Sequence, residues 1–214
     1  MLVTGAASGL GARVVTAARS AGWNAVGIDV VACPSIDHVV ADVTDAMQVR
    51  AAVEALATRA RGLDAVVTAA GAPRPGVPDH TGSDVVDGPA SVDLPGTAAA
   101  IRAALPFLLT SGGTVVTIAL AAGVAGFTRA LAAELCGQVG VTLVVPEGMD
   151  AGHTQGQEDQ HRAGGATPLH AASTVAAAVV HALGRPPGCE IRELAVTPPG
   201  ARRDVGSRRP ASTA

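Results

Sequence analysis

"VTGAASGLG", residues 3–11, decides the fold. A Val-rich start ("MLVT") runs into three glycines, Gly5, Gly9 and Gly11, and then into a helical pattern over 9–21. Glycines at such a junction let the backbone turn tightly and approach a ligand closely. A helix that begins there turns its free N–H groups and its positive dipole end toward an anion such as a pyrophosphate. The next strand, "NAVGIDV" (24–30), carries Asp29, 18 residues past Gly11. An acid at that place accepts hydrogen bonds from an adenosine ribose and repels a 2′-phosphate.

Working outward, apolar strand-like runs alternate with Ala-rich helical ones. "DHVVADV" (37–43) predicts a third strand, and 44–60 a helix capped by Thr44 or Asp45, with Met47, Val49, Val53 and Leu56 inward. "LDAVVTAA" (63–70) reads as a fourth strand, and 72–90, rich in Pro, Gly and Asp, as a loop holding at most a short helix. Helices follow at 91–110, 120–136 and 170–184; strands at 114–119, 141–146 and 190–198; a polar, Gly- and Gln-rich loop at 147–166. The strands are continuous apolar runs, which marks a parallel sheet covered on both faces. The pattern predicts an α/β protein, a single Rossmann-type doubly wound domain over 1–200, followed by a disordered basic tail at 201–214.

Composition agrees with one globular domain: 214 residues, 48% hydrophobic, 15% charged. Aromatics are only 1%, so Ala, Val and Leu must build the core, with Trp23, Phe107 and Phe127 as its rings. A net charge of −3 gives no reason to expect nucleic acid. No apolar run predicts a membrane span, and nothing resembles a signal peptide. Cys33, Cys136 and Cys189 lack metal-site spacing and read as buried free thiols of a cytoplasmic protein. All 15 basic residues are Arg; the chain contains neither Lys nor Tyr.

"TGAASGLG" resembles the TGxxxGxG signature of the short-chain dehydrogenase/reductase family, and the resemblance runs through nearly the whole chain. It implies a cofactor site at Gly5, Ser8, Gly9, Leu10 and Gly11. Asp29 matches the family's NAD-selecting acid, and Ser8 stands where NADP-preferring members often carry a basic residue, so NAD is the implied cofactor. "ADVTD" matches the family's Asp-Val pair and places Asp42 and Val43 near the adenine. "TAAG" (68–71) lies where the family has NNAG: Ala70 and Gly71 are kept, and Thr68 and Ala69 replace the asparagines. "SVDLPGTAAAIRAALPFLL" resembles the VNxxGT helix, "GFTRALAAEL" (126–135) the second half of the helix after the fifth strand, and "VVPEG" the post-strand PG motif, with Glu147 in the Gly place. "RPPGCEIRELAVTPPG" looks like the C-terminal strand of some members. The helices at 91–110 and 120–136 resemble the family's pairing helices; Ala98, Ala99, Ala100, Ala132 and Ala133 permit close packing in a homodimer or homotetramer, or face the sheet.

The catalytic half of the resemblance is missing. The family uses a Tyr as proton donor, a Lys four residues later on the same helical face, a Ser at the end of the fifth strand and an Asn on the preceding helix. Counting back from "GFT" puts the Lys position at Ala121 and the Tyr position at Thr117, inside the strand. A deletion explains this better: strand joins helix directly, the Ser position becomes Ala119 or Leu120, and the Asn position becomes Asp93. Remaining candidates are Asp93, otherwise a helix-start carboxylate favoured by the dipole, Thr117, and His153 or His161 in the polar loop. His38, His170 and His181 read as surface or helix residues, and His153 with Glu158 or Asp159 lacks a third metal ligand. Three readings stand: an NAD-binding oxidoreductase relative, a cofactor- or partner-binding pseudoenzyme, and a lyase, isomerase or cyclase reusing the pocket.

Overall fold

The computed structural model describes residues 1–71, 83–119, 122–146, 172–186 and 188–197, with the backbone alone over 83–92. Its strands are β1 (Leu2–Thr4), β2 (Val26–Asp29), β3 (Asp37–Val40), β4 (Ala65–Thr68), β5 (Thr114–Ile118), β6 (Gly140–Pro146) and β7 (Glu193–Val196). They form one seven-stranded sheet in the order β3-β2-β1-β4-β5-β6-β7, and every pairing is parallel. The described helices are α1 (Gly9–Ser20), α2 (Ala46–Ala60), α3 (Ser83–Ser111), α4 (Ala122–Glu134) and α5 (Ala172–Leu183). The architecture is the expected doubly wound α/β fold.

Strand side chains alternate between the faces, and both faces are buried, which is why the strands read as unbroken apolar runs. On one face Leu2, Ile28, Val66, Val115 and Val141 pack with Val49, Val53 and Leu56 of α2 and Ile101 and Leu108 of α3. On the other, Val3, Val67, Val116 and Val144 pack with Val14, Val15 and Ala18 of α1 and Val175 and Val179 of α5. The rings stay at the margins: Phe107 and Phe127 lie partly buried against the first layer, Trp23 against the second.

Three expectations are corrected. Helix α3 begins at Ser83, inside the segment read as a loop. The helix runs through Gly88 and Pro89; a proline inside a helix removes one backbone hydrogen bond, and the rest of this long helix carries on past that gap. Met47 is 77% exposed. It lies two residues, about 200° of helical turn, from Val49, so it faces away from the Val49, Val53 and Leu56 stripe. Of the cysteines only Cys33 is buried; Cys136 and Cys189 are exposed in connections outside the two layers, and all three are free. Among the pairing-helix alanines, Ala100 is buried in the core, Ala98, Ala99 and Ala132 are half-buried and Ala133 is exposed. No described helix is long and apolar enough to cross a membrane.

Candidate functional site

In the strand order, β1 lies between β2 and β4, and the chain changes direction across the sheet there. Such a switch point opens a crevice beyond the C-terminal strand ends, where open α/β sheets bind ligands. The loop 5–8 leaves β1 into this crevice, and residues 69–71 leave β4 beside it. Thr4, buried at the end of β1, laces the two together: its hydroxyl oxygen accepts the N–H groups of Ala69 and Ala70, each at 3.2 Å. Gly5 has φ +70°, and a Cβ there would come within 2.9 Å of the Ala70 backbone. Gly11 packs so closely under the turn that a Cβ would overlap the Gly5 carbonyl oxygen.

The loop's backbone donors divide into two sets. Gly5 and Ala6 donate to the Ile28 carbonyl at 2.8 and 3.4 Å, and Ala7 donates to Asp29 Oδ2 at 2.9 Å. Helix α1 closes its first turn with Ala12 N–H on the Ser8 carbonyl at 3.1 Å. The N–H groups that open the helix, from Gly9 through Gly11, precede that bond and have no carbonyl one turn back. Ser8, the N-cap, makes no side-chain cap bond, and the first turn carries no acid. Helix α2 solves the same problem differently. Asp45 caps it by accepting from Met47 and Gln48 N–H at 2.9 and 3.1 Å. Hydrogen bonds from the Gln48 backbone, the Gln48 side chain and the Met47 backbone hold the Asp45 carboxyl below the ordinary Asp value. The helix start in the crevice has no such acidic cap.

Asp29 is 9% exposed, and its Oδ1 accepts Val31 N–H at 3.2 Å. Asp42 is exposed and accepts the Thr44 N–H and hydroxyl at 2.9 and 2.8 Å, an Asx turn leading into α2. Val43 is buried against Gly96 of α3, where a Cβ would meet it at 2.9 Å. Leu10 is buried, Ser8 and Gly9 are exposed, Ala70 is half-buried and Gly71 is exposed. Asp93 is 6% exposed on α3, with Oδ1 3.0 Å from where a Cβ on Gly71 would stand. Because α3 begins at Ser83, Asp93 lies ten residues into the helix, and the helix-start reading of it is corrected.

The three strand-end threonines share a row: Thr4 is in register with Thr68, and Thr68 with Thr117. Thr117 is fully buried, and its hydroxyl pairs with Thr128 of α4 at 2.8 Å; Thr128 in turn donates to the Val124 carbonyl at 2.7 Å. This clasp fixes the start of α4 on β5. Removing the Thr128 hydroxyl (Thr128→Val) leaves Thr117 buried without this partner, and we expect about 1–3 kcal/mol of destabilisation in urea unfolding. The Thr117→Val/Thr128→Val double variant should lose less than the sum of the two singles.

Only residues 119–121 separate β5 from α4, in line with a direct strand-to-helix junction. Ala119, one of the two positions mapped to the family Ser, is buried in a small apolar cluster with Val124, Leu143 and, partly buried, Leu94 and Val145. Leu120, Ala121, Glu147, His153, Glu158, Asp159, His161, His170 and the tail lie outside the described residues. His38 is half-buried beside the Ile36 carbonyl, and His181 is exposed in the last turn of α5. Among the described residues no group of three His, Cys, Asp or Glu side chains is arranged to hold a metal. Sequence reading passed over the roles of Thr4, Thr128 and Cys33. For Thr4 a signal existed, since it is the first residue of the quoted TGxxxGxG pattern.

Known proteins give this geometry a lineage. No curated protein matches the sequence. Among solved structures, the chain is similar to an alcohol dehydrogenase from the archaeon Thermococcus sibiricus complexed with 5-hydroxy-NADP, with TM-score 0.78, 17% identity and coverage of 94% of this chain and 97% of that one. It is similar to the aldohexose dehydrogenase of Thermoplasma acidophilum, with TM-score 0.76, 19% identity and 91% of each chain covered. A short-chain dehydrogenase from Streptomyces avermitilis aligns with TM-score 0.72, 24% identity and 92% and 86% coverage. At these identities the structural likeness speaks for the fold alone. The family model described as short chain dehydrogenase matches residues 1–162. With three quarters of its length matched, the chain belongs to the short-chain dehydrogenase family.

Proposed function

We propose that this chain binds NAD(H) in the crevice between β1 and β4, and that it does not carry out Tyr-dependent carbonyl reduction. The observation that carries the first half is the start of α1: backbone N–H groups over Gly9–Gly11, no side-chain cap on Ser8 and no acid in the first turn. That arrangement suits a pyrophosphate. Gly9, where a Cβ would meet nothing within 4 Å, leaves it room to approach, Gly5 and Gly11 keep the turn tight against Ala70 and α1, and Asp29 and the stretch Asp42–Val43 are the groups for the adenosine end. Each Asp29 oxygen has a second lone pair for a ribose hydroxyl, and its charge disfavours a 2′-phosphate; this supports NAD over NADP. The bound dinucleotide would supply or accept a hydride. The second half rests on a chain without Tyr or Lys and on Ala119 in an apolar cluster.

A second reading is favoured by one feature, the Asp93 carboxylate, buried against Gly71. It fits a non-redox acid–base reaction of the lyase, isomerase or cyclase kind in the same pocket. The test of the main reading is titration of NADH followed by its fluorescence. We expect saturable binding, tighter for NADH than for NADPH. No binding at millimolar NADH would overturn it.

A further inference from the structure

We infer that Asp29 is the positioning residue of the phosphate loop, so that removing its carboxylate weakens NADH and NADPH alike instead of exchanging one for the other. This rests on the dinucleotide reading above and goes beyond it: a purely cofactor-selecting acid would yield NADPH binding once removed. Four tethers hold the loop to the end of β2 and the segment that follows it. Gly5 and Ala6 N–H reach the Ile28 carbonyl at 2.8 and 3.4 Å, the Cys33 thiol reaches the Ala6 carbonyl at 3.5 Å, and Ala7 N–H reaches Asp29 Oδ2 at 2.9 Å. The Asp29 tether alone is formed by a carboxylate, and charge-assisted bonds are roughly twice as strong as neutral ones. It is also the last tether before the helix begins. Beyond Ala7 come Ser8, with no cap bond of its own, and Gly9, in the left-handed region at φ +50°.

The carboxylate is itself held. Val31 N–H donates to Oδ1 at 3.2 Å, and the residue is only 9% exposed. Asp29 therefore connects two backbone segments, the phosphate loop and the turn after β2, through its two separate oxygens. A chain of Gly, Ala, Ala, Ser and Gly has few side-chain contacts to fix its path, and glycine gives up the most conformational freedom on ordering. Losing this tether frees Ala7, and with it the alignment of the N–H groups at Gly9–Gly11.

The experiment compares wild type with Asp29→Ala and Asp29→Asn. One arm measures NADH and NADPH affinity by fluorescence. The other measures amide hydrogen exchange of residues 3–14 without any ligand. We expect Asp29→Ala to weaken both cofactors by about tenfold or more, as for loss of a charged hydrogen bond, and to speed exchange in 3–14 while α2 and α5 keep their protection. Asp29→Asn, which retains one acceptor oxygen, should fall between the two, and it carries the test if Asp29→Ala does not fold. NADPH binding by either variant at the wild-type NADH level would overturn the inference, as would unchanged exchange over 3–14. If wild type binds no dinucleotide, the reading of function fails, and the exchange arm still decides whether Asp29 holds the loop.

Discussion

Gly11→Ala is expected to abolish dinucleotide binding and to lower stability by about 1–3 kcal/mol, the range for forcing extra atoms into a packed site. The added Cβ overlaps the Gly5 carbonyl oxygen, and it also meets the Gly5 carbonyl carbon at 2.6 Å and the Ala6 nitrogen at 3.3 Å. All three are backbone atoms, so no side chain can swing aside. The backbone cannot retreat easily either, because Gly5 and Ala6 are bonded to the Ile28 carbonyl and Gly5 packs on Ala70. Helix α1 must therefore move off β1 or the loop must leave its place. Gly9→Ala is the control. A Cβ there meets nothing within 4 Å, and the cost is the left-handed φ of +50°, about 1–2 kcal/mol. On the proposed reading, its new methyl group would stand in the open space left for a pyrophosphate at the start of α1. Urea unfolding and NADH titration separate the two: Gly11→Ala moves both readouts, Gly9→Ala moves affinity more than stability. A Gly11→Ala protein with wild-type affinity and midpoint would contradict the close packing of α1 on the turn.

The fold was legible because each strand is buried on both faces, which leaves an apolar run with no polar alternation to confuse it. The glycine-rich turn after β1 and Asp29 at the end of β2 were legible because glycine spacing and an acid at the end of the next strand are local patterns. What could not be read are contacts between residues far apart in the chain. Asp29 is 22 residues from Ala7, and Thr4 is 65 from Ala69. Both contacts depend on how β1, β2 and β4 pair, which a one-dimensional pattern does not contain. Thr117 shows the same limit: its hydroxyl looked available until α4 brought Thr128 to it. Asp93 was misjudged for another reason. The stretch 72–90, rich in Pro, Gly and Asp, read as a loop, and the helix that begins inside it at Ser83 turns a supposed terminal carboxylate into an internal, buried one.

With NADH and a panel of ketones and aldehydes, or NAD and the matching alcohols, turnover is expected to stay at least about a thousandfold below ordinary enzyme rates, the span that general acid–base catalysis contributes. Hydride delivery to a carbonyl carbon puts negative charge on the oxygen, and that oxygen needs a positioned proton donor. The chain has no Tyr to donate and no Lys to tune one. Thr117 is engaged with Thr128, and Ala119 offers only a methyl group within an apolar cluster. The buried group by Gly71 is the Asp93 carboxylate, and an ionised carboxylate there would repel a forming alkoxide. On the proposed reading, such a site would bind the dinucleotide and still leave the carbonyl unprotonated. The assay is absorbance at the NADH band, with Asp93→Asn and His153→Ala alongside wild type. Removing the Asp93 charge should not reduce the residual rate. Turnover at ordinary rates in the wild type would mean that another donor serves the carbonyl oxygen, and its loss in His153→Ala would assign that role to His153.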